Sequence, residues 1–320
     1  RNQAEAHYAN ATYPAGTSLA GTPFNPANGT ISKYSADVMV PAFLDAYTAG
    51  GSGLRIFPTI LRMLPNWSIS YAGLARLSAM KKVFKSFNLN HSYKSIYSVG
   101  AYSSFSTFSR YMGNWGFVTN VSTGLPVPSS PFDVSSVSIN ETFAPLFGVD
   151  MTFLNNLSTR VEIRRTRILT LSMTNAQINE ARSNDFVIGM GYKIPNFKLF
   201  EAKKTVRAKK AKSKGNERNK VDDLDLRNAI SGFSSDLNLR FDFSFRSQAS
   251  LNRDIMTGLS QATSGNKALQ ISFSADYALS RLLTLTVYYD RQMNRPLLTS
   301  ASYPTTTQDF GVSLKFSLNH

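Results

Sequence analysis

The chain has 320 residues, and its 35 Lys or Arg against 20 Asp or Glu give a formal net charge of +15. It has no cysteine, which excludes a disulfide framework and a thiolate metal site. It also has no apolar run of the roughly 18 residues that a membrane-spanning helix needs, and its 22 Phe and 14 Tyr favour a β-rich fold.

The first part of the chain, residues 1–62, carries little strand pattern. Up to Gly29 it is rich in Ala, Gly, Asn, Thr and Pro, which predicts a long surface loop. One short helix is predicted near 41–48, with Pro41 in its first turn and Gly50 after its end. Its apolar residues follow helical spacing, and we expect it to pack on the rim of the remaining fold: Val40, Phe43, Leu44 and Tyr47.

A first strand is predicted at 67–71, where Trp67, Ile69 and Tyr71 alternate with polar residues. A short basic helix is predicted near 75–85, because apolar residues fall on one side of it. It could lie on a membrane surface or cap the rim of a barrel. A longer strand then runs from 87 to 99.

Four more strands are predicted between 137 and 173 and a fifth at 186–194, with residues 103–133 before them as a long loop. The predicted strands are 137–143, 149–153, 159–163 and 169–173. The predicted connections between these strands are 145–148, Asn155-Asn156, Arg165 to Arg167 and a polar loop around Asn184.

A basic run interrupts the strand pattern at 201–220, inside a loop near 195–235. It holds nine Lys or Arg and two Glu but no aromatic residue. It is either an electrostatic patch for phosphate, lipid head groups or an acidic partner, or a solvated loop. Because no stacking aromatics accompany these charges, we expect no nucleic-acid partner.

The last quarter of the chain has the clearest pattern, with strands predicted at 236–246, 269–279, 283–289 and 310–318. Apolar and polar residues alternate with a period of two, so each strand has one apolar and one polar face. A soluble β-sandwich would bury the apolar face, whereas a membrane barrel would turn it to lipid. Tyr or Phe in all four strands favours the barrel.

In that reading, the following residues should face lipid: Leu239, Phe241, Phe243, Phe273, Leu285, Val312 and Leu314. These residues should face a wet lumen: Arg240, Asp242, Arg246, Asp276, Asp290 and Lys315. The count is about eleven crossings, and bacterial single-chain barrels usually have an even number. The expected fold is therefore all-β: a transmembrane antiparallel barrel segment of about eleven strands, part of a larger barrel, with long loops and two short helices.

Several blocks of the chain resemble the C-terminal end of the SprA/Sov family, the outer-membrane translocons of the type IX secretion system of Bacteroidota. They are SADVMVPAFLDAYTAG (35–50), PNWSISYAGL (65–74) and its continuation to Gly100, SSVSINETFAPLFGVDMTF (135–153), SNDFVIGMGYKI (183–194), SDLNLRFDFSFR (235–246) after a basic insert, and SYPTTTQDFGVSLKFSL (302–318). The resemblance covers most of residues 35–320.

The resemblance implies a very large outer-membrane pore that passes folded protein cargo in secretion and gliding motility. It implies lipid, cargo, a small shuttle barrel and a periplasmic plug protein as partners, and no cofactor. It also implies that the last strand carries the assembly signal, in which apolar residues alternate: Phe310, Val312, Leu314, Phe316 and Leu318. This chain would be the C-terminal part of such a protein.

Two alternative functions make different demands on the sequence. A porin or receptor for small solutes would share the strand pattern, but the odd count argues against it. An outer-membrane hydrolase needs a nucleophile or activated water with a base. The three histidines are scattered at His7, His91 and His320, and the acidic cluster at 222–225 stands alone. We therefore expect no enzymatic activity and no metal site.

Sidedness follows from counting strands back from a periplasmic C-terminus. In this count, 63–320 forms the barrel strands and 1–62 lies outside. The other connections predicted outside are 103–133, 154–156, 176–184, 247–266 and 294–307. The connections predicted in the periplasm are 75–85, 145–148, 165–167, the basic loop near 195–235 and Ser280-Arg281.

Overall fold

The computed structural model describes residues 1–48, 65–197, 235–280, 282–298 and 303–317. It confirms the all-β class. The helices are α1 (Asn2–Ala6) and α2 (Ala36–Thr48). The strands are β1 (Trp67–Tyr71), β2 (Phe84–Ser104), β3 (Ser109–Met112), β4 (Trp115–Thr119), β5 (Pro126–Ser129), β6 (Phe132–Phe153), β7 (Leu157–Ser172), β8 (Gln177–Phe197), β9 (Ser235–Asp254), β10 (Ser260–Ala278), β11 (Leu283–Pro296) and β12 (Thr305–Phe316).

The main sheet has 9 strands in the order β1-β2-β6-β7-β8-β9-β10-β11-β12, and every neighbouring pair is antiparallel. Within this sheet each strand pairs with the next strand along the chain, except that β2 pairs with β6. Between these two, β3, β4 and β5 form a separate 3-stranded sheet. Residues 103–133 were predicted to be loop, so this small sheet is a correction.

Two predicted turns are wrong, because their residues lie inside long strands. Residues 145–148 belong to β6. The strand has a bulge between Phe143 and Phe147, which includes the cis Ala144-Pro145 bond, and it continues on both sides of the bulge. Arg165 to Arg167 belong to β7 and pair in register with Asn184 to Arg182 of β8. Joining these segments reduces the eleven predicted strands to the nine strands of the main sheet.

The polar loop predicted around Asn184 is also wrong, since Asn184 lies within β8. The turn comes earlier, at residues 173–176, where Ala176 takes a positive φ of 48°. The predicted Asn155-Asn156 turn is confirmed, and Asn156 has a φ of 65° there. Both turns use the left-handed conformation that closes tight connections.

The helix predictions were partly correct. A helix does cover 41–48, but α2 starts at Ala36, so Pro41 lies inside the helix and not in its first turn. Residues 75–85 form no α-helix. One 3-10 turn, Gly73–Arg76, overlaps the start of this segment, and a second, Met80–Lys82, lies within it. The Val83 carbonyl accepts a hydrogen bond from the Leu154 N–H at 3.2 Å. α1 was not predicted.

Two apolar clusters lie at one end of the main sheet, called here the α2 end. In the first, α2 packs Met39, Val40 and Leu44 against Val137 and Leu171 of the sheet. In the second, residues 1–31 pack on the small sheet, and the Tyr8 hydroxyl donates to the Gly116 carbonyl at 2.9 Å. The helix is thus fixed to the rim, as expected. No helix in the described ranges is long and apolar enough to cross a membrane.

The connections sort between the two ends of the sheet. The α2 end holds residues 105–131, the turn at 173–176 and the turn at 255–259. The Ile255 N–H donates to the Ala176 carbonyl at 3.0 Å, which joins the two turns, and the Met173 N–H donates to the Ser135 carbonyl of β6 at 2.9 Å. The opposite end holds 72–83, 154–156 and the turn after β10. The turn at 154–156 therefore lies at the other end of the sheet from the position predicted for it.

Candidate functional site

The strand register places the predicted lipid-facing and lumen-facing residues on opposite faces of the sheet. Phe241 of β9 lies opposite Phe273 of β10, and Leu285 of β11 lies opposite Leu314 of β12. All seven predicted lipid-facing residues fall on this apolar face. The six predicted lumen-facing residues fall on the other, polar face. There Ser272 of β10 lies between Asp242 of β9 and Asp290 of β11 and pairs with both. Contact with lipid stays a prediction.

The apolar face carries a continuous band, called here the apolar band. Toward the α2 end it begins with one row of paired residues: Ile163, Phe186, Phe245, Leu269 and Met293. Toward the opposite end it reaches a row of Ile194, Leu237, Tyr277, Leu285 and Leu314. On β9 the band is therefore nine residues long, from Phe245 to Leu237, which is about 26 Å along the strand at about 3.3 Å per residue.

Side chains of this band are incompletely covered. Ile163 is 37% exposed, Phe273 39% and Met190 40%, although each is large and apolar. In a soluble protein a second layer normally buries such a face. The described residues supply that layer only at the α2 end, where α2 and the adjoining loops pack.

One cation interrupts the apolar band. Arg291 of β11 lies opposite Ile271 on one side and Gln308 on the other. Its Nε is buried and has no hydrogen-bond partner among the described residues. A long arginine can extend its guanidinium several ångströms along the sheet while its stem stays in apolar surroundings. This residue was not singled out from the sequence, because Arg291 lies beyond the predicted strand 283–289.

The polar face is organised around Glu162 of β7, which is only 3% exposed. Arg164 donates to it twice, from Nε at 2.6 Å and from Nη2 at 2.9 Å. Arg160 donates from Nε at 3.2 Å. The three residues are spaced by two along one strand, so their side chains share a face. Two partly exposed cations thus neutralise one buried carboxylate.

The polar contacts continue across the neighbouring strands. Asp150 of β6 lies opposite Arg160, 3.6 Å away, and accepts from Asn90 Nδ2 at 2.8 Å. On the other side, Asp185 of β8 lies opposite Arg164 and accepts from Arg246 Nε at 3.0 Å. We call this set the charge ladder: Asn90, Asp150, Arg160, Glu162, Arg164, Asp185 and Arg246.

Only Arg246 of the charge ladder was predicted as a site residue. The remaining members were missed because their contacts depend on the register between strands, as for Asp150 opposite Arg160, and local sequence pattern does not specify that register. An open depression of about 470 Å³ lies beside the ladder, lined by Asn88, Asp150, Arg160, Arg240 and Asp242 among others. Its lining is suited to water and to polar surfaces.

A second polar network joins α2 to the sheet. The Tyr47 hydroxyl lies 3.1 Å from both the Tyr93 hydroxyl and Ser95 Oγ, and Tyr93 donates to Glu141 Oε1 at 3.1 Å. Burial raises the pKa of Tyr47 well above its ordinary value, so this hydroxyl stays protonated. The contact fixes the last turns of α2 against β2.

Asp37, in the first turn of α2, is also buried, at 6% exposed. Its Oδ2 accepts from the Ser130 backbone N–H at 3.2 Å, while Oδ1 has no partner among the described residues. Burial raises the pKa of the Asp37 carboxyl, because the charged form loses its hydration. This group links the helix to the end of the small sheet.

The two histidines within the described residues lie in different surroundings. His91 Nδ1 donates to the Leu146 carbonyl at 2.6 Å, and His7 stacks on Trp115 with ring centroids 5.5 Å apart. No group of three or more His, Cys, Asp or Glu within the described ranges could hold a metal ion. His320, the acidic cluster at 222–225 and the basic run 201–220 lie outside the described residues.

The two edge strands of the main sheet are β1 and β12, and they are not paired with each other. The apolar residues of β12 are strongly exposed, with Phe310 at 69% and Leu314 at 63%. Exposed edges present unpaired backbone groups that another strand can join.

No model of a known protein family matches the chain, and no curated protein matches it.

Proposed function

We propose that this chain forms the C-terminal part of the wall of a very large outer-membrane β-barrel pore, which conducts folded protein cargo across the bacterial outer membrane. The observation that carries the proposal is the nine-stranded sequential sheet with one apolar and one polar face. Its apolar band is nine residues long on β9, within the roughly 9–11 residues that a tilted strand needs to cross a bilayer.

The incomplete cover of the apolar band favours a membrane over a soluble sandwich. In a sandwich, an opposing sheet packs about 10 Å away and removes such side chains from solvent. Here Phe245 and Phe273 remain 38% and 39% exposed. Lipid supplies the missing apolar surroundings, and the antiparallel pairing satisfies the backbone groups that lipid cannot.

The open edges favour a wide barrel over an ordinary porin. A barrel of nine strands would close by pairing β1 with β12, and its lumen would be about as narrow as that of an eight-stranded barrel, which side chains fill. Neither edge strand makes that pairing. Further strands on both sides would widen the lumen, as passage of a folded protein requires.

The charge ladder suits a surface over which proteins pass. Its acids and arginines neutralise one another, as at Glu162 with Arg160 and Arg164. A wall with matched charges is hydrated but offers no large field of one sign to retain cargo. The proposed partners remain those implied by the resemblance: outer-membrane lipid, secreted cargo, a small shuttle barrel and a periplasmic plug.

Single cysteines on the two faces test this proposal, and the chain has no cysteine of its own to interfere. Asp242→Cys and Asp290→Cys should react in the intact, membrane-embedded protein with a maleimide attached to a small folded protein. Phe241→Cys and Phe273→Cys should react only with a lipid-soluble maleimide. The second pair is the matched control. Phe241 directly precedes Asp242 on β9, and Phe273 lies opposite Tyr289, which directly precedes Asp290 on β11.

Two outcomes would contradict the proposal in different ways. Reaction of the polar-face cysteines with a small reagent but not with the protein-sized one would indicate a pore for small solutes. Equal reaction of both faces with water-soluble reagent would show that neither face meets lipid.

A further inference from the structure

One row of residues on the same face as the apolar band, just beyond its edge, differs sharply from the band in composition. It lies directly on the α2-end side of the band, and its members pair in register across five strands: Arg165, Asn184, Ser247, Lys267 and Arg295. We call this row the basic collar. Three of its five members are cations, the other two are neutral hydrogen-bonding residues, and none is acidic.

The collar lies immediately beside apolar side chains. Each of its members is two residues from a member of the first row of the band, as Arg165 is from Ile163 and Lys267 from Leu269. Two strand residues span about 7 Å. The transition from an apolar to a cationic surface is therefore abrupt and occurs at the same height on all five strands.

The collar cations are available to a partner. Arg165, Lys267 and Arg295 are exposed. None of these three side chains makes an ion pair or hydrogen bond within the part of the chain that the structure describes. The next row outward behaves differently, since Arg167 and Arg182 both donate to Glu180 at 2.6 Å.

We infer that the basic collar binds the phosphate groups of anionic lipid in the leaflet nearest the α2 end. The inference rests on the proposed membrane function, because it places lipid against the apolar band. Lipid chains in contact with Ile163 and Leu269 bring their head groups to the height of Arg165 and Lys267. Guanidinium and ammonium groups at that height match phosphate oxygens in charge and hydrogen bonding.

The arrangement fits several phosphates better than one. Lys267 and Arg295 are on adjacent strands, whose backbones lie about 5 Å apart. Arg165 is three strands from Lys267, a backbone separation of about 15 Å. Asn184 and Ser247 bridge the interval with neutral polar groups that can bond to sugars or phosphate esters. A single soluble phosphate could not contact both ends of this row, but a lipid surface could.

The test compares lipid association with the intact protein in bilayers. Spin-labelled phosphatidic acid and spin-labelled phosphatidylcholine are added separately, and the motionally restricted fraction gives their relative association with the protein. We expect a preference for phosphatidic acid. Arg165→Gln, Lys267→Gln and Arg295→Gln together should abolish it, with losses on the order of fivefold per cation if each contributes fully.

A matched control removes the same charge from the polar face. Lys94, Arg240 and Lys315 are exposed there and can be changed to Gln together. This triple variant should keep the lipid preference, which separates a local contact from the effect of net charge. A preference that both triple variants lose equally would overturn the inference.

The remaining outcomes separate this inference from the proposed function. Absence of a restricted component with either lipid would contradict membrane insertion itself. A restricted component of equal size for both lipids would leave insertion intact and overturn the collar. Inorganic phosphate, compared with chloride at equal ionic strength, should compete weakly; complete displacement would indicate a site for free phosphate instead.

Discussion

Arg164 holds Glu162 through two parallel hydrogen bonds, Nε to Oε1 at 2.6 Å and Nη2 to Oε2 at 2.9 Å. The two residues are two positions apart on β7, and the carboxylate is buried while the guanidinium is about half exposed. A carboxylate placed this way needs its arginines, because it has been removed from most of its hydration. It therefore stabilises the polar face only as part of the charge ladder.

Replacing Glu162 with Gln should destabilise the sheet, because Arg160 and Arg164 then lose the carboxylate that both of them bond to. We expect a loss of about 1–3 kcal/mol in the free energy of unfolding. Urea unfolding, followed by loss of the heat-modifiable band on gels, measures it. Asp309→Asn is the control, since Asp309 is exposed on the same face; an equal effect would contradict a special role for Glu162.

The packing of α2 should depend on pH through Asp37. Its carboxyl has a pKa raised by burial, so folding favours the protonated form. This contribution is fully present below the unfolded pKa and is lost as pH rises through the folded pKa. Hydrogen exchange of the α2 amides, corrected for intrinsic rates, should therefore slow as pH falls through that range.

Asp37→Asn should remove this pH dependence and keep exchange slow at neutral pH, because a neutral amide replaces the buried charge. Glu5→Gln is the control, since Glu5 is a surface residue paired with Arg1 at 2.8 Å. Unchanged pH dependence in Asp37→Asn would assign it to another group.

Tyr47→Phe should loosen α2 without unfolding the sheet. The substitution keeps the ring and removes the hydroxyl that contacts Tyr93 and Ser95, at a cost of about 1 kcal/mol. Exchange of the α2 amides should rise about fivefold, while that of β9 stays unchanged. Tyr303→Phe, at a residue 83% exposed, should alter neither.

Polar substitutions in β12 should depend on which face they alter. Val312→Asn with Leu314→Asn places two amides on the apolar face and should abolish assembly, as should deletion of 310–320. Ser313→Asn with Lys315→Asn changes the adjacent polar-face positions and should be tolerated. Heat-modifiable mobility and recovery in the outer membrane would report both, and equal assembly of the two variants would contradict a lipid-facing band.

Because the main sheet has nine strands and not the predicted eleven, the predicted side of the membrane changes for one connection. If the proposed function is correct, the count of nine strands still predicts 105–131 outside and 72–83 in the periplasm, but it now predicts 154–156 on the periplasmic side. Asn175→Cys and Thr257→Cys should therefore react with an impermeant maleimide in intact cells, and Asn155→Cys only after permeabilisation. The basic run 201–220 should likewise resist trypsin in intact cells.

The sequence predicted the end of the chain better than its middle, for physical reasons. In β9 to β12, apolar and polar residues alternate through the centre of each strand, so the period of two is visible. In β6 and β7, Pro145, Gly148 and the arginines at 165 and 167 resemble turn residues, although the neighbouring strands hold them in register.

The charge ladder and the small sheet could not be predicted for a different reason. Both depend on pairing between strands that local pattern does not specify. Asp150 meets Arg160 only because Met151 lies opposite Thr159 in the same register. Likewise, β5 contains Pro126 and Pro128, residues that suit an edge strand but discourage a strand prediction.

The connections of the main sheet also determine how it could form. Short turns join β6 to β8 and β9 to β12, so these blocks can zip together from local contacts at little cost in loop entropy. The segments between Ser104 and Phe132 and between Phe197 and Ser235 are several times longer, which adds about 1–2 kcal/mol to each closure. We therefore expect assembly to proceed by docking preformed hairpin blocks, with the joints β2–β6 and β8–β9 closing last.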